Sequence, residues 1–145
     1  MSAAISLQID SDLASVELVA KAVRALCSDK LDDAMLADVE ISVVEAINNV
    51  IKHGYRGEKG QSVEVRINIR ADRIVIDIYD KAAPMPDRLI ASEATRLDFD
   101  PENLDALPEG GIGLELMKMT MDEVSYSSTS GVNRLTLTKL FGAGA

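Results

Sequence analysis

The sequence predicts an α+β fold, a two-layer sandwich in which helices cover one face of a mainly antiparallel sheet. Three observations lead there. Residues 63–70 alternate strictly, Val63, Val65, Ile67 and Ile69 against Glu64, Arg66, Asn68 and Arg70, the pattern of a sheet with one buried and one wet face. Two stretches, about 12–28 and 32–53, each carry apolar residues along one helical stripe. The elements run β-α-α-β-β, then a long connection, then α-β-β, so strands come as hairpins instead of alternating with helices.

The elements follow in order. Ile5, Leu7 and Ile9 alternate with Ser6 and Gln8 and give a short first strand. Asp10-Ser11-Asp12 offers a cap for the first helix, whose stripe is Val16, Val19, Ala20, Val23, Leu26 and Cys27. The second helix has Leu36, Val39, Val43, Val44, Ile47, Val50 and Ile51 as its stripe, Gly54 as its stop, and a loop over 55–60 after it. The alternating strand at 63–70 turns near Ala71-Asp72 into Ile74–Asp80, its hairpin partner. Periodicity then fades. Pro84, Pro86, Pro101 and Pro108 all fall between Ala82 and Gly111, a connection long enough to act as a lid, with room for a short helix at Arg88–Leu97. Gly110-Gly111-Ile112-Gly113 opens a helix from Leu114 to about Met121, and strands near 123–129 and 133–141 close the chain.

Composition narrows the class. The chain has 145 residues, enough for one core, and one domain is expected over 1–145. Apolar residues make up 47%, which argues against disorder. Fifteen Lys and Arg against 24 Asp and Glu leave a net charge of −9, and aromatics are only 3%. Such a surface neither neutralises phosphates nor stacks bases, so no direct nucleic-acid partner is expected. Cys27 is the only cysteine, which excludes an internal disulfide and a multi-cysteine zinc site. The start of the chain lacks a basic segment followed by an apolar run, and no stretch reaches the roughly 18 apolar residues of a membrane helix. A cytoplasmic domain with no membrane partner is the expectation.

Three places hold residues suited to chemistry, each with a plainer alternative. Glu45 and Asn49 are four apart on the second helix and neighbour each other on a polar face that also carries Asn48, Lys52 and His53. Such a face is commonly only solvated, yet two mid-helix asparagines cost about 1 kcal/mol relative to alanine. Asp80 ends its strand with the same parity as Ile74, Ile76 and Ile78, so it points toward the buried side. It either caps a turn or aims an acceptor at a ligand, and a buried carboxylate needs partners. The glycines at 110–113 precede a helix, where free backbone amides and the helix dipole suit a phosphate, although helix-entry glycines are common. His53 reads as structural or as a ligand edge, Cys27 as core, and the six methionines as packing.

The combination resembles the GHKL ATP-binding superfamily, the Bergerat fold. Val44–Tyr55 looks like the N box of the anti-sigma-factor serine/threonine kinases, Asp80–Asp87 like their first glycine box, and Gly110–Met117 followed by Met121–Val124 like their second. Asn133–Lys139 is similar to the family's final strand. The likeness covers nearly the whole chain in the family's order. It implies ATP and magnesium as cofactors, a sigma factor and a STAS-domain anti-anti-sigma protein as partners, and a homodimer. By the same resemblance Glu45 is the general base, Asn49 the magnesium ligand, and Lys52 a residue facing phosphate. Asp80 accepts from the adenine amino group beside Ala82, and Gly111, Gly113 and Leu114 bring amides to the phosphates. Two departures stand out. Ala82 occupies a position where the family often has glycine, and the second box has Glu109 and Ile112 with no arginine. A γ-phosphate cation then has to come from Lys52, Arg88, Arg96 or a partner chain. The resemblance therefore implies an anti-sigma kinase. The departures leave open a weaker alternative, a binding module of the same fold that sequesters a regulatory protein.

Overall fold

The computed structural model describes residues 2–85 and 111–142. Its elements are β1 (Ala3–Asp10), α1 (Leu13–Cys27), α2 (Asp33–Asn49), a π-helical turn (Val50–Gly54), β2 (Ser62–Ile69), β3 (Arg73–Asp80), α3 (Gly111–Thr120), β4 (Glu123–Thr129) and β5 (Val132–Leu140). The expected lid lies outside the described residues from 86 onward, and with it Arg88, Arg96 and Glu109.

All four strand pairings are antiparallel and the sheet order is β1-β2-β3-β5-β4. The chain leaves the middle of the sheet after β3, and α3 and β4 return it so that β5 pairs with β3. The register sets Val65 opposite Ile78 and Ile67 opposite Ile76. These side chains share the inner face and are wholly buried. From the other layer, Val39, Val43, Ile47 and Ile51 of α2 and Val19 and Val23 of α1 join the same core. Burying side chains of this size gains about 1.5–3 kcal/mol each, which is what holds the helices to the sheet.

Local chemistry sets the ends. Asp12 and Asp32 cap α1 and α2, their carboxylates accepting from Ala14 N at 3.0 Å and Met35 N at 2.8 Å. The outer sheet face is polar. Asp77 is buried there, and accepts from Arg134 Nε at 3.0 Å and from Thr136 Oγ1 at 2.6 Å. The end of α3 is tied down by Thr120, whose hydroxyl meets Ser42 of α2 at 2.7 Å and whose carbonyl accepts from Lys139 Nζ of β5 at 2.6 Å. Two boundaries differ from expectation. The α geometry of α2 ends at Asn49 and gives way to the π turn, and α3 begins at Gly111, so Gly111 and Gly113 lie in its first turn rather than in its approach.

Candidate functional site

The π turn shapes one wall of a cavity. Tyr55 N donates to Val50 O at 2.7 Å, an i→i−5 bond, while Val50 N is shared between Ala46 O and Ile47 O. Turns of this kind are concentrated at functional sites. The cause lies in Tyr55. Its ring is buried, its hydroxyl donates to Ser62 O at 2.8 Å, and the same oxygen accepts from Lys81 N at 2.8 Å. The end of the helix is thereby tied to the residue that follows Asp80. Gly54 makes the close approach possible. A Cβ at that position would lie 2.8 Å from the Ala82 methyl, so the alanine in place of glycine at 82 fits because 54 has no side chain.

Beneath that wall lies a cavity of about 160 Å³. An apolar cavity of about 150 Å³ takes up benzene, so this one admits a ring. Ala46, Asn49, Val50 and His53 face it from α2 and the π turn, at helical spacing, and Asp80 and Asn133 face it from β3 and β5. Met117 and Leu135 supply apolar surface.

Asp80 is 8% exposed. Its Oδ1 accepts from Ala82 N at 2.9 Å and from Asn133 Nδ2 at 2.8 Å. Burial pushes its carboxyl above the ordinary aspartate range, and the two hydrogen bonds pull partly the other way. The turn-capping reading of this residue holds. Oδ1 caps the turn after β3, while Oδ2 takes no hydrogen bond from a described residue. Tyr126 of β4, which also lines the cavity, accepts from Met85 N at 2.8 Å through its hydroxyl.

Most of the other candidate residues do not line this cavity. Asn49 lines it, but Glu45 and Lys52 do not. They sit four before and three after Asn49; Glu45 is half-buried and Lys52 exposed. Asn49 therefore belongs both to the cavity face and to the adjoining Glu45-Asn49-Lys52 stripe. Leu114 is buried in the core, and Gly111 and Gly113 lie in the first turn of α3. Ala82 is half-buried against Gly54. His53 is exposed at the cavity edge, and Cys27 is fully buried. Among the described residues no group of three or more His, Cys, Asp or Glu is placed to hold a metal. The lining residues with side-chain oxygens are Asn49, Asp80, Tyr126 and Asn133. Asn133 and Tyr55 were not singled out by sequence. Asn133 was legible in principle, since it shares the inward parity of Leu135 and Leu137, where a polar residue is out of place.

A family model for the histidine kinase-like ATPase domain matches residues 9–139. The chain belongs to that family. This histidine kinase-like ATPase domain is 36% identical over 105 residues to the serine-protein kinase RsbW of Staphylococcus aureus, in strains RF122 / ET3-1 and MRSA252 alike. The match covers 72% of the chain and 65% of the relative's length. Among solved structures it resembles the RsbU and RsbW domains of Rv1364c from Mycobacterium tuberculosis, with a TM-score of 0.65, 15% identity, and coverage of 95% of this chain and 32% of that one. The mycobacterial sensor histidine kinase MprB follows at a TM-score of 0.55 and 17% identity, over 93% of this chain and 98% of that one. Both likenesses concern the fold. No helix among the described residues of this ATPase-family chain is long and apolar enough to cross a membrane.

Proposed function

We propose that the chain is an ATP-dependent protein serine/threonine kinase that acts as an anti-sigma factor. Its phosphoryl acceptor is a STAS-domain anti-anti-sigma protein. The observation that carries the reading is the meeting of Asp80 and Asn49 at one ring-sized cavity, the first from the sheet and the second from α2. The similarity to serine-protein kinase RsbW supports the reaction class.

The residues fit an adenine nucleotide with one divalent ion. Asp80 is an acceptor at the floor of an otherwise largely apolar cavity, which suits the amino edge of the base. Magnesium favours a few protein oxygens alongside phosphates and waters, and when bound it neutralises phosphate charge. Asn49 would hold it through its amide oxygen. Lys52, Gly111, Gly113 and Leu114 are the proposed phosphate-side residues. Glu45, one turn from Asn49, would take the proton of the attacking serine or threonine hydroxyl. The hydroxyl oxygen bonds to the γ-phosphorus, the bond from that phosphorus to the bridging oxygen breaks, and the leaving diphosphate keeps the electron pair. Fixing the base and the metal ligand on one rigid helix supplies the positioning this transfer needs.

Labelled ATP, magnesium and the STAS partner test the reading. Label is expected on a serine or threonine of the partner. Glu45→Ala should abolish transfer and leave nucleotide affinity within about twofold. One observation favours a second reading, a partner-binding module that holds ATP without transferring it: Glu45 does not line the cavity. Tight ATP binding with an unlabelled partner would select that reading.

A further inference from the structure

In this acidic chain most cations are answered by acids. Lys21, Arg24, Arg66, Arg73, Arg134 and Lys139 each lie within 3.5 Å of a carboxylate. Arg56, Lys59 and Lys81 differ. They are exposed, and their side chains make no salt bridge or hydrogen bond with a described residue. The three sit at one place, where the loop over 55–61 meets the end of β3. Tyr55, just before Arg56, accepts through its hydroxyl from Lys81 N at 2.8 Å. The loop carries a single acid, Glu58. Lys30 and Arg70 also lack a salt bridge, but they stand apart, in the turn between α1 and α2 and in the turn between β2 and β3.

The loop is held rigidly. Ser11 Oγ donates to Glu58 O at 2.6 Å and accepts from Gln61 N at 3.0 Å, and Asp10 Oδ1 accepts from Gly60 N at 2.9 Å. Tyr55 N, Gly57 N and Glu58 N are spent on Val50 O, Ile51 O and Tyr55 O. No run of neighbouring amides is left to cradle a phosphate, so the loop presents side-chain cations and little else. Arg56 is also strained. Its φ is +53°, a left-handed conformation that glycine takes at lower cost after a helix end. Among the described residues the other non-glycine with positive φ is Ser130, a small residue in the turn between β4 and β5. A long charged side chain kept in a costly conformation, exposed and without a partner, points to recognition.

We propose that Arg56, Lys59 and Lys81 form a docking surface for a protein partner that presents spaced carboxylates. Charge complementarity carries the assignment: a chain of net charge −9 leaves three cations unneutralised side by side on a rigid loop. Arginine takes a carboxylate through two parallel N–H donors, and the two lysines add point charges around it. A nucleic acid fits less well. Its continuous phosphate charge is repelled by the net −9, and the aromatic ring of this loop, Tyr55, is buried and cannot stack on a base. The inference stands apart from the nucleotide reading, because it uses none of the residues assigned to ATP.

Amide NMR of the full chain, titrated with a glutamate–alanine peptide at about 0.01 M ionic strength, tests it. Saturable shifts are expected at residues 55–61 and 81, abolished by about 1 M salt and absent with the glutamine–alanine twin of the peptide. No shift there, or equal shifts from the twin, overturns the inference, and this arm needs no variant. Arg56→Gly should weaken the peptide about threefold, and adding Lys59→Ala should bring the loss to about tenfold. Lys30→Ala removes a charge elsewhere and should change nothing. Unchanged affinity in the first two variants, or an equal loss in the third, overturns the inference. Arg56→Gly should also raise the urea midpoint, since glycine takes that φ without the penalty. A lower midpoint marks Arg56 as structural and counts against the proposal. Oligouridylate or inorganic triphosphate moving the same amides at lower concentration than the peptide assigns the surface to phosphates and overturns it.

Discussion

Asp80 holds a charge where the fold would prefer none. Its carboxyl is raised by burial, so the folded chain binds that proton more tightly than the unfolded chain does. Stability contributed by this group is fully present below its ordinary value of 3.8 and is lost as pH climbs through the raised folded value. At neutral pH the ionised carboxylate is a cost to the fold, one that the proposed base-binding role would account for. Asp80→Asn is close to isosteric, and its amide oxygen can keep the bonds from Ala82 and Asn133 while its amide nitrogen replaces Oδ2. The variant should therefore be more stable than the native chain near pH 7, with the gap closing toward pH 4, while its ATP affinity falls. Urea denaturation across that range reads the difference. A gap that is flat or grows on acidification contradicts the assignment of cost to Asp80.

At the scale of elements, the junction between the π turn and the strand end is the part that sequence periodicity does not encode. The helices and hairpins were legible because apolar residues at spacings of two or about 3.6 have one way to bury themselves. The stop of α2 was expected from Gly54, but the change to π geometry after Asn49 depends on Tyr55 reaching Ser62 and Lys81. Those contacts cross from a helix end to a hairpin, and no local spacing announces them. Ala82 reads differently for the same reason. In sequence it is a departure from glycine, and in space it is the partner of Gly54. Gly54→Ala should destabilise the chain by about 1–3 kcal/mol through overpacking. Adding Ala82→Gly should recover most of that loss, because the contact made by the new methyl disappears. A double-mutant cycle by denaturation measures it, and additive losses would show that the two sites are not coupled.

Across the whole molecule, one sheet and two α2 faces divide the labour. The inner sheet face and α2 share a core, and the cavity opens where that core ends, at Asp80 and Asn133. Much of this site was readable from sequence. Asp80 was aimed inward by strand parity, and Asn49 was placed on a polar helix face. The bond from Asn133 to Asp80 was not, because it exists only once β5 has paired with β3 across 53 residues of chain. Glu45 and Lys52 lie on the stripe beside the cavity and do not line it, which accords with the proposed proton and phosphate roles rather than with base binding. Loss of either should therefore spare nucleotide affinity more than loss of Asp80 does.

The most direct measurement is a stability titration of the full chain with ATP and magnesium, run beside Asp80→Asn. The native chain should gain about 2.7 kcal/mol at one hundred times its Kd, and the variant should need much higher nucleotide for the same gain. A native chain that gains nothing, or a variant that responds at the same concentration, would contradict a nucleotide held by Asp80 between α2 and the sheet.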